Sequence, residues 1–216
     1  MKKTVILGAG GFAREVLDIL LAQNAVSKQY EILGFIDENP AMKGRILNGY
    51  PVLGTFDWFV PNERSPIHIV CGIGSPVQRQ KVVGKAQELG LHFCNIVHPT
   101  AVLTSFVSLG EGVVVAAGSI FTNQITIGSH VHINLDVTIG HDCVIEDFCT
   151  IAPGVHISGN VKLGTGVDLG TGAVVIQSVS IGTWSTIGAG AVVIEDVPEH
   201  VTVAGVPARV IKENKP

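Results

Sequence analysis

Residues 133–169 read INLDVTIGHDCVIEDFCTIAPGVHISGNVKLGTGVDL, and every sixth residue of this stretch is a large apolar one. The spacing continues without a break from Val97 to Val193, and glycine often follows the apolar residue. A helix repeats every 3.6 residues or so and a strand about every two, so neither explains a period of six. Hexapeptide repeats are typical of a parallel β-helix with three repeats per coil, which stacks residues about 18 apart.

The sequence before the repeat has another pattern, in which short apolar strands alternate with amphipathic helices. The predicted elements are strands over 4–7, 31–36, 67–71 and 92–97 and helices over 12–23 and 76–89. Such alternation predicts a small, Rossmann-like parallel α/β sheet. We therefore expect an α/β domain over 1–96, a β-helix over 97–195 and a segment over 196–216 that turns back to cap the open end of the solenoid.

Composition limits the function classes. The chain has 216 residues, of which 46% are hydrophobic and 15% charged, and its net charge is −4. This balance predicts a well-buried globular protein with no affinity for nucleic acid or for a membrane surface. The apolar start of the chain is interrupted by Gly8, so we interpret it as a first strand and not as a signal peptide. The four cysteines lack CxxC spacing, which favours buried free thiols in a reducing cytoplasm over disulfides or zinc.

A glycine turn follows the first predicted strand. Residues 8–13 read GAGGFA and match the pattern G-x-G-x-x-A between a strand and a helix. Glycines at these positions let backbone N–H groups and the helix N-terminus approach a phosphate, although they also serve a purely steric need in a tight turn. Asp37 ends the second strand, where its carboxylate can accept from a ribose hydroxyl or a base N–H. Because this domain has room for only one nucleotide-binding half, we favour a nucleoside diphosphate group over NAD.

One histidine of the repeat region stands out. His141 lies two residues after an inward-facing isoleucine, which predicts a position near a corner with the ring pointing outward. One coil later stands Gly159, which leaves a slot beside the ring for an acyl group and offers a backbone N–H. Asp142 is placed to orient the imidazole and raise its basicity. We interpret His130, His132 and His156 as surface histidines, because no third ligand follows at zinc-site spacing, and we predict no metal.

Six segments together resemble a known family. They are residues 8–11, 34–38, 72–74, 141–145, 152–160 and 204–208, which read GAGG, GFIDE, GIG, HDCVI, APGVHISGN and AGVPA. The chain resembles, over essentially its whole length, bacterial sugar O- and N-acetyltransferases grouped with the sialic acid O-acetyltransferases. It is most similar to those that acetylate an amino group of a nucleotide sugar, of the bacillosamine and perosamine type.

The resemblance implies a left-handed β-helix, a homotrimer and an active site shared by adjacent subunits, with acetyl-CoA as co-substrate. It makes His141 the general base and Asp142 its partner. It places the nucleotide sugar against Gly10, Gly11, Phe12, Asp37, Glu38 and Gly74, with Asn134 near the sugar. It places acetyl-CoA along the solenoid near Thr150, Gly159, Thr171 and Ala189. Phe12 and Thr150 depart from the family pattern, because many relatives have a substrate-binding histidine at the first position and some have a histidine near the thioester at the second.

The resulting hypothesis is an acetyl-CoA-dependent N-acetyltransferase that acts on a nucleotide-linked amino sugar in surface-glycan synthesis, by direct transfer. An alternative is O-acetylation of a free or nucleotide-linked sugar such as sialic acid, because His141 suits either acceptor. A second alternative is a non-catalytic nucleotide-sugar-binding scaffold, which the pairing of His141 with Gly159 argues against. The sequence leaves the nucleotide base, uracil or guanine, open.

Overall fold

The computed structural model describes residues 1–59 and 67–214 of the chain. The first domain contains β1 (Lys2–Leu7), α1 (Gly11–Val26), β2 (Tyr30–Ile36), β3 (Ile46–Leu47), β4 (Tyr50–Gly54), β5 (Ile67–Cys71), α2 (Pro76–Glu88) and β6 (His92–Phe93), with single 3₁₀ turns at Pro40–Met42 and Phe56–Trp58. The sheet order is β3-β4-β2-β1-β5-β6, and β3 alone among these strands runs antiparallel to its neighbour. β1 therefore has a parallel neighbour on each side, and the crevice at the carboxyl ends of β1, β2 and β5 is where such sheets bind ligands.

The rest of the chain forms a left-handed parallel β-helix with three flat faces. The first face holds β7 (Ile96–Val97), β9 (Val114–Val115), β12 (His132–Ile133), β15 (Thr150–Ile151), β18 (Asp168–Leu169), β21 (Thr186–Ile187), β23 (Val201–Ala204) and β24 (Arg209–Glu213). The second face holds β10 (Ile120–Phe121), β13 (Thr138–Ile139), β16 (His156–Ile157), β19 (Val174–Val175) and β22 (Val192–Val193). The third face holds β8 (Val107–Leu109), β11 (Ile125–Ile127), β14 (Val144–Ile145), β17 (Lys162–Leu163) and β20 (Ser180–Ile181).

The apolar residues that recur every six positions form the interior of this prism. Ile133 pairs in parallel with Ile151, 18 residues on, and both side chains are fully buried. The turn after each strand contains a residue in the left-handed region, such as Asp142 with φ of 60°. Asn, Asp and especially Gly tolerate this conformation, which explains their recurrence at the corners. The fold class predicted from the repeat and the family resemblance is confirmed.

The first domain packs on the first face of the solenoid. Val114 points outward from this face, yet it is fully buried because it joins a cluster with Ala13, Val16 and Leu17 of α1. At the far end of the solenoid, β23 extends the first face next to β21, and β24 turns back antiparallel to it. In the part of the chain that the structure describes, the α/β domain thus covers the N-terminal coils of the first face and does not cover the second and third faces.

The short antiparallel pair of β3 and β4 was not predicted from the sequence. Its turn is Asn48-Gly49, with φ of 47° and 85°, a pairing typical of a two-residue hairpin turn. That dipeptide was the signal that could have revealed it. The cysteine expectation also needs one correction, because Cys94 is only half-buried whereas the other three thiols are buried. Within the described residues, the helices include none with the length and apolar character needed to cross a membrane.

Candidate active site

A pocket of about 520 Å³ opens at the carboxyl ends of β1, β2 and β5. The sequence-predicted residues Gly10, Gly11, Phe12, Asp37, Glu38 and Gly74 all line it. Its floor is the glycine turn, where the chain takes a left-handed conformation at Gly8 with φ of 97°. A methyl group at Gly72 would lie 2.6 Å from the Cα of Ala13, so the close approach of α1 to the end of β5 requires a glycine there.

Asp37 connects the second strand to the glycine turn. Its Oδ2 accepts from the backbone N–H of Ala9 at 2.9 Å, and its Oδ1 accepts from the N–H of Asn39 at 2.9 Å. Each carboxylate oxygen has a further lone pair, so both can still accept from a ligand. Asp37 therefore shapes the turn and also presents acceptors to the pocket.

The start of α1 supplies donors to the pocket. The N-cap residue Gly10 makes no side-chain cap, and a methyl group at Gly10 would meet nothing within 4 Å. The first backbone N–H groups of a helix have no intrahelical partner and bear partial positive charge. Lys81 of α2 also lines the pocket and adds a full positive charge. A phosphate group matches this combination of donors and charge.

His141 and Asp142 lie at the corner between the second and third faces. The Nδ1 of His141 is 2.8 Å from the Oδ2 of Asp142, and the two side chains are 67% and 59% exposed. Because a carboxylate only accepts, this contact places the ring proton on Nδ1 and leaves the lone pair of Nε2 free to take a proton. Both side chains are largely exposed, so this contact adds little to the stability of the fold, and its main consequence is the orientation of the ring.

Gly159 lies directly beside that ring, one coil later. A methyl group on Gly159 would lie 2.6 Å from both Cε1 and Nε2 of His141. The neighbouring Asn160 N–H donates to the carbonyl of His141 at 2.7 Å, which holds the two corners together. Among the residues that the structure describes, none accepts from the Gly159 N–H. The His141 ring thus packs directly on the backbone of Gly159, and the arrangement places a proton acceptor beside an unused donor.

Cys143 follows this pair but points the other way. Its side chain is fully buried, and its thiol donates to the carbonyl of Ser158 with an S···O distance of 3.1 Å. Burial raises the pKa of the thiol, which disfavours the nucleophilic thiolate. Cys143 therefore belongs to the solenoid core.

The pocket and His141 are far apart within one chain. A triangular prism has three edges, and the edge between the second and third faces lies opposite the first face. The first face carries the α/β domain with its pocket, so His141 lies on the opposite edge of the same solenoid. One subunit alone does not bring together the predicted substrate residues and the predicted base.

The remaining predicted residues fall into two places. Asn134, Thr171 and Ala189 each follow a strand of the first face and lie along the edge between the first and second faces. The Asn134 side chain accepts from the N–H of Leu135 at 2.8 Å. Thr150 lies apart from them, since its hydroxyl donates to the carbonyl of Gly74 at 2.7 Å, beneath the α/β domain. Gly159 therefore lies on the same edge as His141, whereas Asn134, Thr171 and Ala189 lie together on the edge between the first and second faces.

Several solved structures have the same overall shape as this chain. A perosamine N-acetyltransferase variant from Caulobacter crescentus, in complex with CoA and GDP-perosamine, is 32% identical, with 99% of this chain and 98% of that chain covered and a TM-score of 0.90. The acetyltransferase domain of PglB from Neisseria gonorrhoeae is 32% identical, with 98% and 100% covered and a TM-score of 0.87. WeeI from Acinetobacter baumannii is 32% identical, with the same coverage and a TM-score of 0.85.

Two family descriptions also match. Residues 3–86 match the PglD N-terminal domain, and residues 142–177 match the bacterial transferase hexapeptide, six repeats. A comparison with curated proteins gave no match. The chain belongs to the hexapeptide-repeat sugar N-acetyltransferases. The predicted family is thus confirmed, over nearly the full length of the matched chains.

The expectation of surface histidines is wrong for two of the three. His130 and His132 are only 2% and 1% exposed, whereas His156 is exposed. The ring of His130 lies between Phe93 and Phe148, with centroid distances of 4.7 and 5.2 Å. Burial lowers the pKa of both buried imidazoles, so they are neutral at physiological pH. These outward-facing positions of the repeat are buried because the α/β domain covers them.

Sequence reasoning also missed several residues of this acetyltransferase's pocket. Phe56, Gln78 and Lys81 line it, and Lys85 forms an ion pair with Glu38 at 2.7 Å. Lys81 could have been identified by one signal, a cation in the first turns of a helix that follows a glycine-rich strand end. Phe56 carried none, because it comes from a short turn whose position depends on the whole sheet.

Proposed function

We propose that this protein transfers the acetyl group of acetyl-CoA to the amino group of a nucleotide-linked amino sugar, in surface-glycan synthesis. The observation that carries the proposal is the oriented His141–Asp142 pair, whose ring lies against the backbone of Gly159. The complex of the similar perosamine enzyme with CoA and GDP-perosamine supports the substrate classes. The four unpaired cysteines support a location in the reducing cytoplasm.

The chemistry needs one proton acceptor. The sugar nitrogen attacks the thioester carbonyl carbon, and Nε2 of His141 takes the proton that the nitrogen loses as the C–N bond forms. Asp142 stabilises the resulting imidazolium at a distance of 2.8 Å. The proton then passes to the sulfur of the departing CoA thiol. The buried Cys143 takes no part, so the transfer is direct.

Charge develops on the carbonyl oxygen during the attack. The unused N–H of Gly159 is the donor that we assign to this oxyanion. Thr171 and Ala189, on the edge between the first and second faces, would contact acetyl-CoA mainly through backbone groups in a site formed with a neighbouring subunit. The cofactor role expected of Thr150 stays a prediction, and its hydroxyl is already bonded to Gly74.

We assign the nucleotide diphosphate to the pocket of the α/β domain. The open start of α1 and Lys81 would bind the phosphates, and Asp37 with Glu38 would accept from the ribose or the base. The sugar would extend past Phe12 toward Asn134. Asp37 offers a direct test of this assignment.

Asp37→Ala should raise the KM for the nucleotide sugar and leave the KM for acetyl-CoA nearly unchanged. Loss of one hydrogen bond to a charged acceptor weakens binding by about 1.5–3 kcal/mol, which is roughly 10- to 150-fold. Asp57→Ala is the matched control, because Asp57 is an exposed carboxylate that does not line the pocket, and its KM should stay within about twofold. Steady-state kinetics with each substrate varied in turn make the measurement. Equal rises in both constants for Asp37→Ala would contradict a local nucleotide contact.

We further propose that the active site forms between adjacent subunits of a homotrimer. The support is the position of His141 on the edge opposite the face that carries the nucleotide pocket. A pocket from one subunit and His141 from its neighbour would complete a site. Sedimentation at micromolar concentration should then give a mass of three 22.7 kDa chains.

Complementation between inactive variants tests the shared site more sharply. We expect a co-expressed mixture of His141→Ala and Asp37→Ala chains to be more active than either variant alone at low sugar concentration. Random assembly gives about one quarter of the sites an intact pocket and an intact base. Each variant refolded separately and mixed without subunit exchange is the control. A co-expressed trimer with no recovered activity would place both residues in a site within one chain.

The reaction itself is tested by incubating the protein with acetyl-CoA and a panel of UDP- and GDP-linked sugars. Pairs that differ only in an amino or a hydroxyl group at one ring position separate N- from O-acetylation by mass spectrometry, and free sialic acid is included as an acceptor. We expect acetylation of an amino member and release of CoA thiol. Acetylation of hydroxyl members alone would favour the O-acetyltransferase, and nucleotide-sugar binding without turnover would favour the scaffold.

A further inference from the structure

Arg79 is a charged side chain buried between the two domains. It lies on α2, it is fully buried, and it faces the solenoid. Burial lowers the pKa of its guanidinium to about 10, so it remains charged at neutral pH. The described residues give it no ion-pair partner within contact distance. The charge of Asp168 favours the charged guanidinium without contacting it, and Nε has no hydrogen-bond partner in the described part of the chain. Hydrogen bonds from the two terminal nitrogens must therefore offset most of the cost of burying this cation.

The guanidinium first binds the rim of the nucleotide pocket. Its Nη1 donates to the carbonyl oxygens of Ile73 and Gly74, each at 2.9 Å. Both residues line the pocket. The segment after β5, which has no regular structure of its own, is therefore held by Arg79.

The other nitrogen binds the solenoid. Nη2 donates to the carbonyl oxygens of Phe148 and Cys149 at 2.6 and 3.0 Å, and to the hydroxyl of Thr150 at 2.9 Å. That hydroxyl in turn donates to the carbonyl of Gly74 at 2.7 Å. One planar group thus links a turn of the pocket to one coil of the β-helix.

The guanidinium of Arg79 also contacts His132, whose ring packs against a residue of the pocket wall. Nη1 of Arg79 lies 3.1 Å from Nδ1 of His132, and because arginine only donates, Nδ1 accepts. The ring of His132 contacts the ring of Phe12, with centroids 5.0 Å apart. Phe12 and Gly74 both line the pocket, Gly74 is bonded to Arg79, and Phe12 rests on the histidine that Arg79 orients.

We propose that Arg79, with His132 and Thr150, is an interdomain joint that positions the nucleotide-sugar pocket on the solenoid. Apolar side chains would hold two domains together at lower desolvation cost, whereas a fork of donors fixes their relative position through several directional bonds. The sugar amine lies at the far end of a substrate anchored in this pocket. A small shift of the pocket therefore moves the amine away from the acetyl group. Arg79 is a positioning residue, and this inference rests on the proposed function.

Arg79→Gln and Arg79→Lys test the joint. Neither side chain can reach all the acceptors that the guanidinium binds, so we expect kcat for the nucleotide sugar to fall about 10- to 100-fold, since a displacement near 1 Å costs about 10²-fold. The Kd for UDP or GDP, whichever binds the wild type, should change by less than about threefold, and the KM for acetyl-CoA should not change. Calorimetry and steady-state kinetics give these values.

Val83→Ala is the matched control. Val83 lies on the same helix and is fully buried, but its side chain packs in the apolar cluster of the sheet and has no polar atom that could take part in the hydrogen bonds of the joint. It should lower the melting temperature and leave kcat per folded enzyme within about twofold. Thr150→Val is a milder variant that removes the hydroxyl at nearly constant volume, and we expect a three- to tenfold loss of kcat. It provides the test if the Arg79 variants fail to fold.

The outcomes separate the alternatives. If the Arg79 variants have a lower melting temperature but keep wild-type kcat, Arg79 only stabilises the fold, and the inference is overturned. A rise in the nucleotide Kd as large as the loss of kcat/KM would make Arg79 a support of the pocket wall alone, which also overturns it. A wild-type protein that acetylates no member of the sugar panel would refute the proposed function instead.

Discussion

His141→Ala should lower kcat for the sugar substrate by about 10²–10⁴-fold, the usual contribution of a positioned general base. The ring is exposed and buries little apolar area, so the variant should assemble and melt near the wild-type temperature. Acetyl-CoA should still bind, because its proposed contacts are mainly backbone groups. Turnover with saturating substrates and calorimetry with acetyl-CoA make the comparison.

His156→Ala is the control for this substitution. His156 is an exposed histidine on the second face, and its Nδ1 is 2.9 Å from the hydroxyl of Thr138. Its removal should leave kcat within about twofold. A His141→Ala protein with wild-type kcat would show that the proton leaves through water or another group.

Asp142→Asn should have a smaller effect of the same kind. The amide oxygen can still accept from Nδ1 of His141, so the ring keeps its orientation, but the negative charge is lost. Without that charge the imidazolium formed during proton transfer is less stabilised, so kcat should fall, but by less than for His141→Ala. An Asp142→Asn protein with wild-type kcat would make Asp142 an orienting residue only.

Gly159→Ala should lower kcat about 10²-fold, because the new methyl group displaces the ring of His141. The new methyl group would lie 2.6 Å from Nε2 of His141, and the exposed ring can swing away to relieve the clash. A displaced base loses its alignment with the amine, and a misplacement near 1 Å costs about that factor. Because the clash is with a movable side chain, the melting temperature should change little.

Gly164→Ala distinguishes this effect from general crowding of the solenoid. A methyl group there would lie 2.8 Å from the backbone nitrogen of Thr183, remote from His141. This variant should be destabilised and yet retain wild-type kcat per folded enzyme. If both glycine variants lose stability and keep kcat, Gly159 is a packing residue and its contact with His141 has no role in catalysis.

Much of the architecture was predictable because the repeat is local. Each turn of six residues buries one large side chain, so an unbroken period of six predicts the prism and the stacking of Gly159 on His141. The strand at Ile67–Cys71 and the helix that starts at Pro76 were also predicted, because apolar runs and helix-start signals mark their bounds. Asp37 was found at the pocket because carboxyl ends of parallel strands meet at one edge of a sheet.

The sequence by itself determined which side chains face the inside of the solenoid and which face out. It did not determine which outer face would be covered, because the period is the same on all three faces. Only the tertiary structure placed the α/β domain on the first face, which buried His132 and Arg79 and left His141 on the opposite edge. The physical reason is that periodicity shows only whether a side chain faces the core of its own element. Domain packing depends instead on contacts between residues far apart in the chain.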